Sequence, residues 1–344
     1  MSYNQLHILI LLDRRNLGGI ETHVANLAKG LDNSGHSVTV VLMNNYGLHP
    51  VFDTDDFFQS KLYKLNGSIK SLYHFLKHVP TDVVHTHGYK AGIMGRLLCR
   101  LLGKTVVSTF HAGEKGSKKM QFYRWLDNLT ATQSHCISVS EEISKQLNCS
   151  SRVIQNFVEP NCTVNPLIKA HQIAFVGRLS HEKGPDYFLN IAKSTPQGLF
   201  TIYGDGPMYE DIKADKPFNV SMMGQVESME SYWPNIKFLC ITSRAEGLPL
   251  VALEAMSRGI PVVSFDVGGL STLIQHNING WLIPPESPQK FINTLHHVLQ
   301  FKRRRLDLLA QNARKIISDN FSTTAVIPQI QSVYLKAVKG DANV

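Results

Sequence analysis

Ser243-Arg244-Ala245-Glu246-Gly247-Leu248-Pro249-Leu250-Val251-Ala252-Leu253-Glu254-Ala255-Met256 is the stretch on which the fold turns. The apolar run Ile236 to Thr242 precedes it and reads as a buried strand. Gly259-Ile260-Pro261 follows as a helix stop, and Val262 to Phe265 as another buried strand. The two glutamates therefore sit on a strand–loop–helix crossover, Glu246 in the loop and Glu254 within the helix. The helix N-terminus near Pro249 and Leu250 offers unpaired N–H groups and a positive dipole end, which suit a phosphate. Glu254 lies four residues beyond Leu250, about 6 Å along the axis. That is roughly the reach from a nucleotide's phosphate to its ribose, whose two hydroxyls a carboxylate can accept. Glu246, on the other side of the phosphate, would face whatever the phosphate carries. A solvated Glu254 is disfavoured, because Leu250, Val251, Leu253 and Met256 make its helix largely apolar.

Working back, Ile173-Ala-Phe-Val-Gly177-Arg178-Leu179-Ser180-His181-Glu182-Lys183-Gly184 is a buried strand running into a loop with two cations, then a helix from Pro185. Leu199 to Tyr203 is a strand ending in Gly204-Asp205-Gly206-Pro207, and Val220 to Met223 leads into Gly224-Gln225-Val226-Glu227. At the start of the chain, His7 to Leu12 reads as a strand and Asn16-Leu17-Gly18-Gly19 as a turn. Ile20, Val24, Leu27 and Leu31 then repeat at helical spacing. This opening suits a doubly wound domain. It lacks the GxGxxG pattern, and Val38 to Met43 ends in Asn44-Asn45 rather than an acid, so a nicotinamide enzyme is disfavoured. Further parallel-strand candidates are Asp82 to His87, Val106 to His111 and Cys136 to Ser140.

The Glu246–Met256 stretch resembles the EGLPLVxLEAM signature of retaining glycosyltransferases of family 4, which have the two-domain GT-B fold. The FVGRL…KG segment, the GxGP-type turn and the Thr109-Phe110-His111 segment resemble that family too. The likeness is strong from Phe175 to Pro284 and weaker before Val106. It implies two doubly wound Rossmann-like domains facing a cleft, over residues 1–165 and 166–320. A terminal helix, about 321–344, would pack back on the first domain. The implied activity is metal-independent transfer of a hexose from a nucleotide sugar, UDP before GDP, to an acceptor hydroxyl, with no cofactor.

The resemblance also assigns roles. Arg178 and Lys183 would neutralise the departing diphosphate, a charge that fixed cations stabilise. Glu254 would hold the ribose and Glu246 the transferred sugar, with His111 facing that sugar from the first domain. Gly18 and Gly19 would face the diphosphate, with Gly204, Gly247, Leu248, Pro249 and Leu250 also on the donor side and Val226 at the base. One departure stands out: where the family continues GGxPE, this chain has Gly268-Gly269-Leu270-Ser271-Thr272. His85 reads as a hydrogen-bonded structural histidine, and no carboxylate or cysteine cluster accompanies His85-Thr86-His87 to make a metal site.

Composition bounds the rest. The 344 residues suit two domains, and 43% apolar with 18% charged residues suits ordinary cores. Five cysteines without CxxC pairing point to a reducing compartment. The start carries neither a signal-peptide pattern nor a membrane-length run, which points to the cytoplasm. The net charge of +8 suits anionic ligands or surfaces. Between Gly88 and Leu126 there are eight basic residues and one acid, Glu114. Within that segment Lys115, Lys118, Lys119 and Arg124 crowd Met120, Phe122, Tyr123 and Trp125, which suits an interfacial patch on anionic lipid. For Ile93 to Leu102 a core-facing helix with a solvated basic face is the better reading. A peripheral enzyme on the inner face of the cytoplasmic membrane is expected, acting on a glycan or lipid-linked glycan in bacterial surface polysaccharide or glycolipid synthesis, without nucleic acid. Two rivals remain: a noncatalytic nucleotide-sugar or lipid binder, for which the missing GGxPE carboxylate speaks, and a nucleotide-sugar epimerase of the same fold.

Overall fold

The computed structural model describes residues 5–13, 18–49, 51–53, 62–111, 118–160 and 170–340. The chain forms two compact units, Met1–Phe157 with Thr323–Val344, and Val158–Ser322. Val158 to Pro160 thus go with the second unit rather than the first, since the Val158 N–H donates to the Phe321 carbonyl (2.9 Å) and its side chain joins the second core.

The first unit alternates strand and helix: β1 (His7–Leu12), α1 (Gly19–Asn33), β2 (Ser37–Leu42), β3 (Leu62–Lys64), α2 (Ile69–His78), β4 (Val83–His87) and α3 (Tyr89–Leu102). It continues with β5 (Val106–Phe110), α4 (Lys118–Ala131), β6 (His135–Ser138), α5 (Glu141–Gln146) and β7 (Ser151–Val153). Its sheet is parallel in the order β3-β2-β1-β4-β5-β6-β7. The order reverses between β1 and β4, and in such sheets ligands bind outside the strand ends at that switch point. The two-residue period of β1 sends Ile8, Ile10 and Leu12 into one core and Leu9 and Leu11 into another. The first core is completed by α1 and by the last helix of the chain; the second by α2 and α3. Val83 belongs to the first core, so His85 and His87, two and four residues on, face the same side.

The second unit runs β8 (Gln172–Val176), α6 (Pro185–Lys193), β9 (Leu199–Tyr203), α7 (Tyr209–Asp215), β10 (Val220–Gly224), β11 (Ile236–Ile241) and α8 (Leu250–Ser257). Then come β12 (Val262–Phe265), α9 (Leu270–Leu273), β13 (Gly280–Ile283), α10 (Pro288–Leu299) and α11 (Arg303–Ile316). Its sheet is parallel in the order β10-β9-β8-β11-β12-β13, reversing between β8 and β11. After a π-helical turn, Ile317–Phe321, the last helix α12 (Thr323–Lys339) returns to the first unit. Among the described residues no helix is long and apolar enough to cross a membrane.

Candidate active site

In the second unit, the loop after β8 carries Arg178 and Lys183, and the loop after β11 carries Glu246. Because β8 and β11 are neighbours, both loops leave the sheet at its switch point. The half-buried Lys183 ammonium lies 2.8 Å and 2.7 Å from Glu246 Oε1 and Oε2. The Ser243 hydroxyl donates to Oε1 at 2.6 Å. Lys183 and Glu246 thus form one ion pair, a link that their separately assigned roles did not anticipate. Arg178 is exposed on the same loop.

Three further contacts lock these loops together. Arg244 grips Asp186 through two hydrogen bonds (2.9 and 2.6 Å), donates to the His181 carbonyl at 2.7 Å, and its guanidinium lies 4.3 Å from the Tyr187 ring centre. That pairing holds the Asp186 carboxyl below the usual range. The Gly269 N–H donates to the Gly247 carbonyl at 2.7 Å, and a Cβ on Gly268 (φ +58°) would meet the Glu246 carbonyl at 1.9 Å. The Gly268-Gly269 pair therefore shapes the Glu246 loop through its backbone, whatever residue follows it. Gly204 is of the same kind: a Cβ there would lie 1.9 Å from the Gly177 carbonyl, so its glycine is required by the contact of two turns.

Helix α8 starts after Pro249 with no side-chain cap, which leaves its N-terminal dipole available to an anion. Leu248 and Leu250 are buried in the core, and Val226 packs against it. Glu254 is half-buried on this helix. Burial pushes its carboxyl up to about 7, with the Glu230 charge adding and Arg258 opposing. Such a carboxyl favours a ligand that donates hydrogen bonds to it.

In the first unit, His111 follows the end of β5, and His87 ends β4. His87 Nδ1 lies 3.1 Å from His111 Nε2. His23 of α1, which precedes Val24 of the apolar stripe and had no role assigned from the sequence, meets His111 edge-on at 4.8 Å between ring centres. His23, His87 and His111 each offer a ring nitrogen, all within 4.8 Å of one another, and among the described residues they form the group that could hold a metal ion. His85 is fully buried and bonded, Nδ1 to the Tyr334 hydroxyl at 2.6 Å and Nε2 to Thr109 Oγ1 at 2.7 Å. Burial lowers His23 to about 4 and His85 to about 3. A cavity of about 280 Å³ opens beside His111, lined by Asp13, Lys90, Arg96, Tyr123 and Asp127 among others. Gly18 caps α1 in an extended conformation and Gly19 opens it.

Of the basic residues in Ile93 to Leu102, Arg100 is exposed as expected, whereas Arg96 departs from the solvated basic face. It is buried, pairs with Asp127 at 2.5 Å, and bonds Thr130 and Ser108; Leu97 and Leu101 are exposed instead. Of the expected surface patch, Arg124, Phe122 and Trp125 are exposed, the two aromatic rings stacked at 6.0 Å. Lys118 and Lys119 lie on α4, their side chains outside the described residues, as is all of Lys115.

The match to known proteins is extensive. The family model "Glycosyltransferase Family 4" matches residues 17–161, and "Glycosyl transferases group 1" matches 170–300. The UDP-Gal:α-D-GlcNAc-diphosphoundecaprenol α-1,3-galactosyltransferase of Escherichia coli is 30% identical over 309 residues, 79% of each chain. The chain is a family 4 glycosyltransferase. Solved structures agree on the GT-B fold of this glycosyltransferase. Sucrose-phosphate synthase from Thermosynechococcus elongatus superposes with a TM-score of 0.80 at 17% identity, over 98% of this chain and 100% of that one. The Anabaena HepE complex with UDP-glucose gives 0.79 at 19% identity, over 96% and 100%.

Proposed function

We propose that this glycosyltransferase moves a hexose from a UDP-sugar to a lipid-linked glycan, with retention of anomeric configuration and without a metal ion, in the synthesis of a bacterial surface polysaccharide or glycolipid. The observation that carries the reading is the meeting of Lys183 and Glu246 at the switch point, on the loop that leads into the uncapped α8 helix and Glu254. That set offers a cation and a helix dipole for a diphosphate and a carboxylate for a ribose. It leaves a second carboxylate for the sugar. Arg178 and Lys183 stabilise the diphosphate as the bond to the anomeric carbon breaks. His111 and its cavity serve the sugar and acceptor side. The E. coli relative is named for UDP-galactose and a diphosphoundecaprenol-linked acceptor, and HepE was solved with UDP-glucose, which supports uridine and a lipid-linked acceptor here.

The test is a transfer assay with UDP-galactose, UDP-glucose, UDP-N-acetylglucosamine and GDP-mannose, each with and without a GlcNAc-diphosphate-lipid acceptor and with EDTA throughout. A thermal-shift screen of the same panel selects the donor, since a ligand at 100 times its dissociation constant adds roughly 2.7 kcal/mol. Acceptor-dependent product with a retained anomer by NMR is expected. Conversion of the donor to an epimeric nucleotide sugar without acceptor, identified by NMR, would make the protein an epimerase; slow donor hydrolysis fits a transferase, and binding without any conversion would make it a noncatalytic binder.

A further inference from the structure

His87 sits at the carboxyl end of β4, opposite Leu12 of β1, where the strand order reverses. It is 1% exposed. One ring nitrogen, Nδ1, lies 3.1 Å from His111 Nε2. The other, Nε2, is buried and meets no hydrogen-bond partner among the described residues. His85 and His23 crowd the ring at 4.2 and 5.5 Å between centres. A second proton on this ring would put a charged N–H on the buried Nε2 with nothing to accept it, so His87 carries one proton.

Two placements of that proton are open. With the proton on Nε2, a buried N–H has no acceptor, which costs about 1–3 kcal/mol. With it on Nδ1, the N–H donates to the His111 Nε2 lone pair, and only an acceptor nitrogen is left bare. Orphaned N–H groups are the rarer of the two in protein interiors. The contact also fixes the partner: a neutral His111 whose Nε2 accepts a hydrogen bond must carry its own proton on Nδ1.

We propose that His87 is a positioning residue that holds His111 as the Nδ1–H tautomer, with His111 Nε2 committed to His87 and not acting as a base. The role of His111 at the active site rests on the function proposed above; its tautomer does not. A zinc ion on His23, His87 and His111 is a poorer account of the cluster. Two nitrogens on a tetrahedral zinc at 2.0–2.1 Å stand about 3.4 Å apart, whereas the nitrogens here spread to 4.8 Å. The His87–His111 distance is already that of an N–H···N bond.

The experiment is 15N NMR of the full chain labelled at the histidine imidazole nitrogens, the His111 signals being assigned by their loss in His111→Asn. The Nδ1–H form of His111 is expected in the wild type. A dominant Nε2–H form overturns the proposal, and so does stoichiometric binding of added zinc with shifts at all three rings. Two variants separate positioning from packing. His87→Asn keeps an N–H donor close to where Nδ1 stood; His87→Leu removes it at similar size. The Leu variant is expected to lose the single tautomer and to drop kcat roughly ten-fold, the equivalent of one lost hydrogen bond, with KM for the donor little changed. The Asn variant is expected to retain both tautomer and most of kcat. Equal kcat losses in both, or a wild-type tautomer in the Leu variant, overturn the positioning role. If His111→Asn transfers at the wild-type rate, the active-site assignment of His111 falls while the tautomer measurement stands by itself.

Discussion

Lys183 and Glu246, 63 residues apart in sequence, form a two-pronged ion pair in which the ammonium lies 2.8 and 2.7 Å from the two carboxylate oxygens. The pair is lopsided: the Glu246 side chain is 6% exposed and that of Lys183 29%. Each residue thus has two tasks, one toward the donor and one toward the other.

Lys183→Ala is therefore expected to reduce both rate and stability. It strips a buried carboxylate of its cation, which costs about 1–3 kcal/mol, and it lowers transfer on the order of 10²-fold. Arg178→Ala, on the exposed side of the same loop, should lower the rate similarly and leave the melting temperature unchanged. Calorimetry beside steady-state rates checks both. A Lys183→Ala protein as stable as wild type, or an Arg178→Ala protein with the wild-type rate, contradicts the assignment.

The Glu254 carboxyl, raised from 4.5 to about 7, makes donor binding pH-dependent. Ribose hydroxyls bond best to the ionised form, so UDP should bind roughly 30-fold tighter at pH 8 than at pH 5.5. Glu254→Gln should abolish that part of the dependence and leave only the titration of the phosphate itself. Stability of the free protein runs the other way. Below pH 4.5 the folded and unfolded chains both hold the proton. Between 4.5 and about 7 the unfolded chain releases it first, and the folded state loses roughly 3 kcal/mol of relative stability. Calorimetric titrations with UDP across this range, on both proteins, would expose a flat wild-type profile if the assignment is wrong.

The two glutamates should separate in kinetics. Glu254→Ala mainly raises KM for the donor, because the ribose contact exists before and during reaction. Glu246→Ala mainly lowers kcat if its contact strengthens as the glycosidic bond breaks. Purely affinity-type losses in both would contradict the division.

Much of this was legible in the chain. The buried runs of β4, β5, β8, β11 and β12 stand out because both faces of a parallel sheet are covered, so each is rich in apolar residues and none alternates strictly between apolar and polar. The three-residue strands β3 and β7 did not stand out, since they are the two edges of their sheet and too short to carry a period. Arg96 was misplaced because helical spacing cannot show that Asp127, on another helix, meets it. His23 hides for a like reason: at its position just before Val24 of α1, only the strand ends opposite make it part of a histidine cluster. The Lys183–Glu246 pair depends on β8 lying beside β11, a long-range pairing.

The basic and aromatic stretch Lys115 to Trp125, of which Phe122, Arg124 and Trp125 are exposed, is expected to bind anionic membranes. Each basic residue near such a surface contributes roughly 1 kcal/mol, so a triple Lys115→Glu, Lys118→Glu, Lys119→Glu variant should lose most of the flotation with anionic liposomes that the wild type shows. Unchanged association in the variant would discard the patch, and none in the wild type would discard the membrane.

Helix α12 sets an order of events during synthesis. It supplies Val326, Ile327, Ile330, Val333 and Tyr334 to the core of the first unit, and Tyr334 holds the buried His85. Residue 157 leaves the ribosome long before residue 339 does. At about 5–20 residues per second the interval is roughly 10–40 s, during which the face of β1 and β4 awaiting α12 stays uncovered. The contiguous second unit has no such wait. Chains cut short after Ser322 would keep a whole second unit and leave the first with an open core, a target for chaperones and proteases.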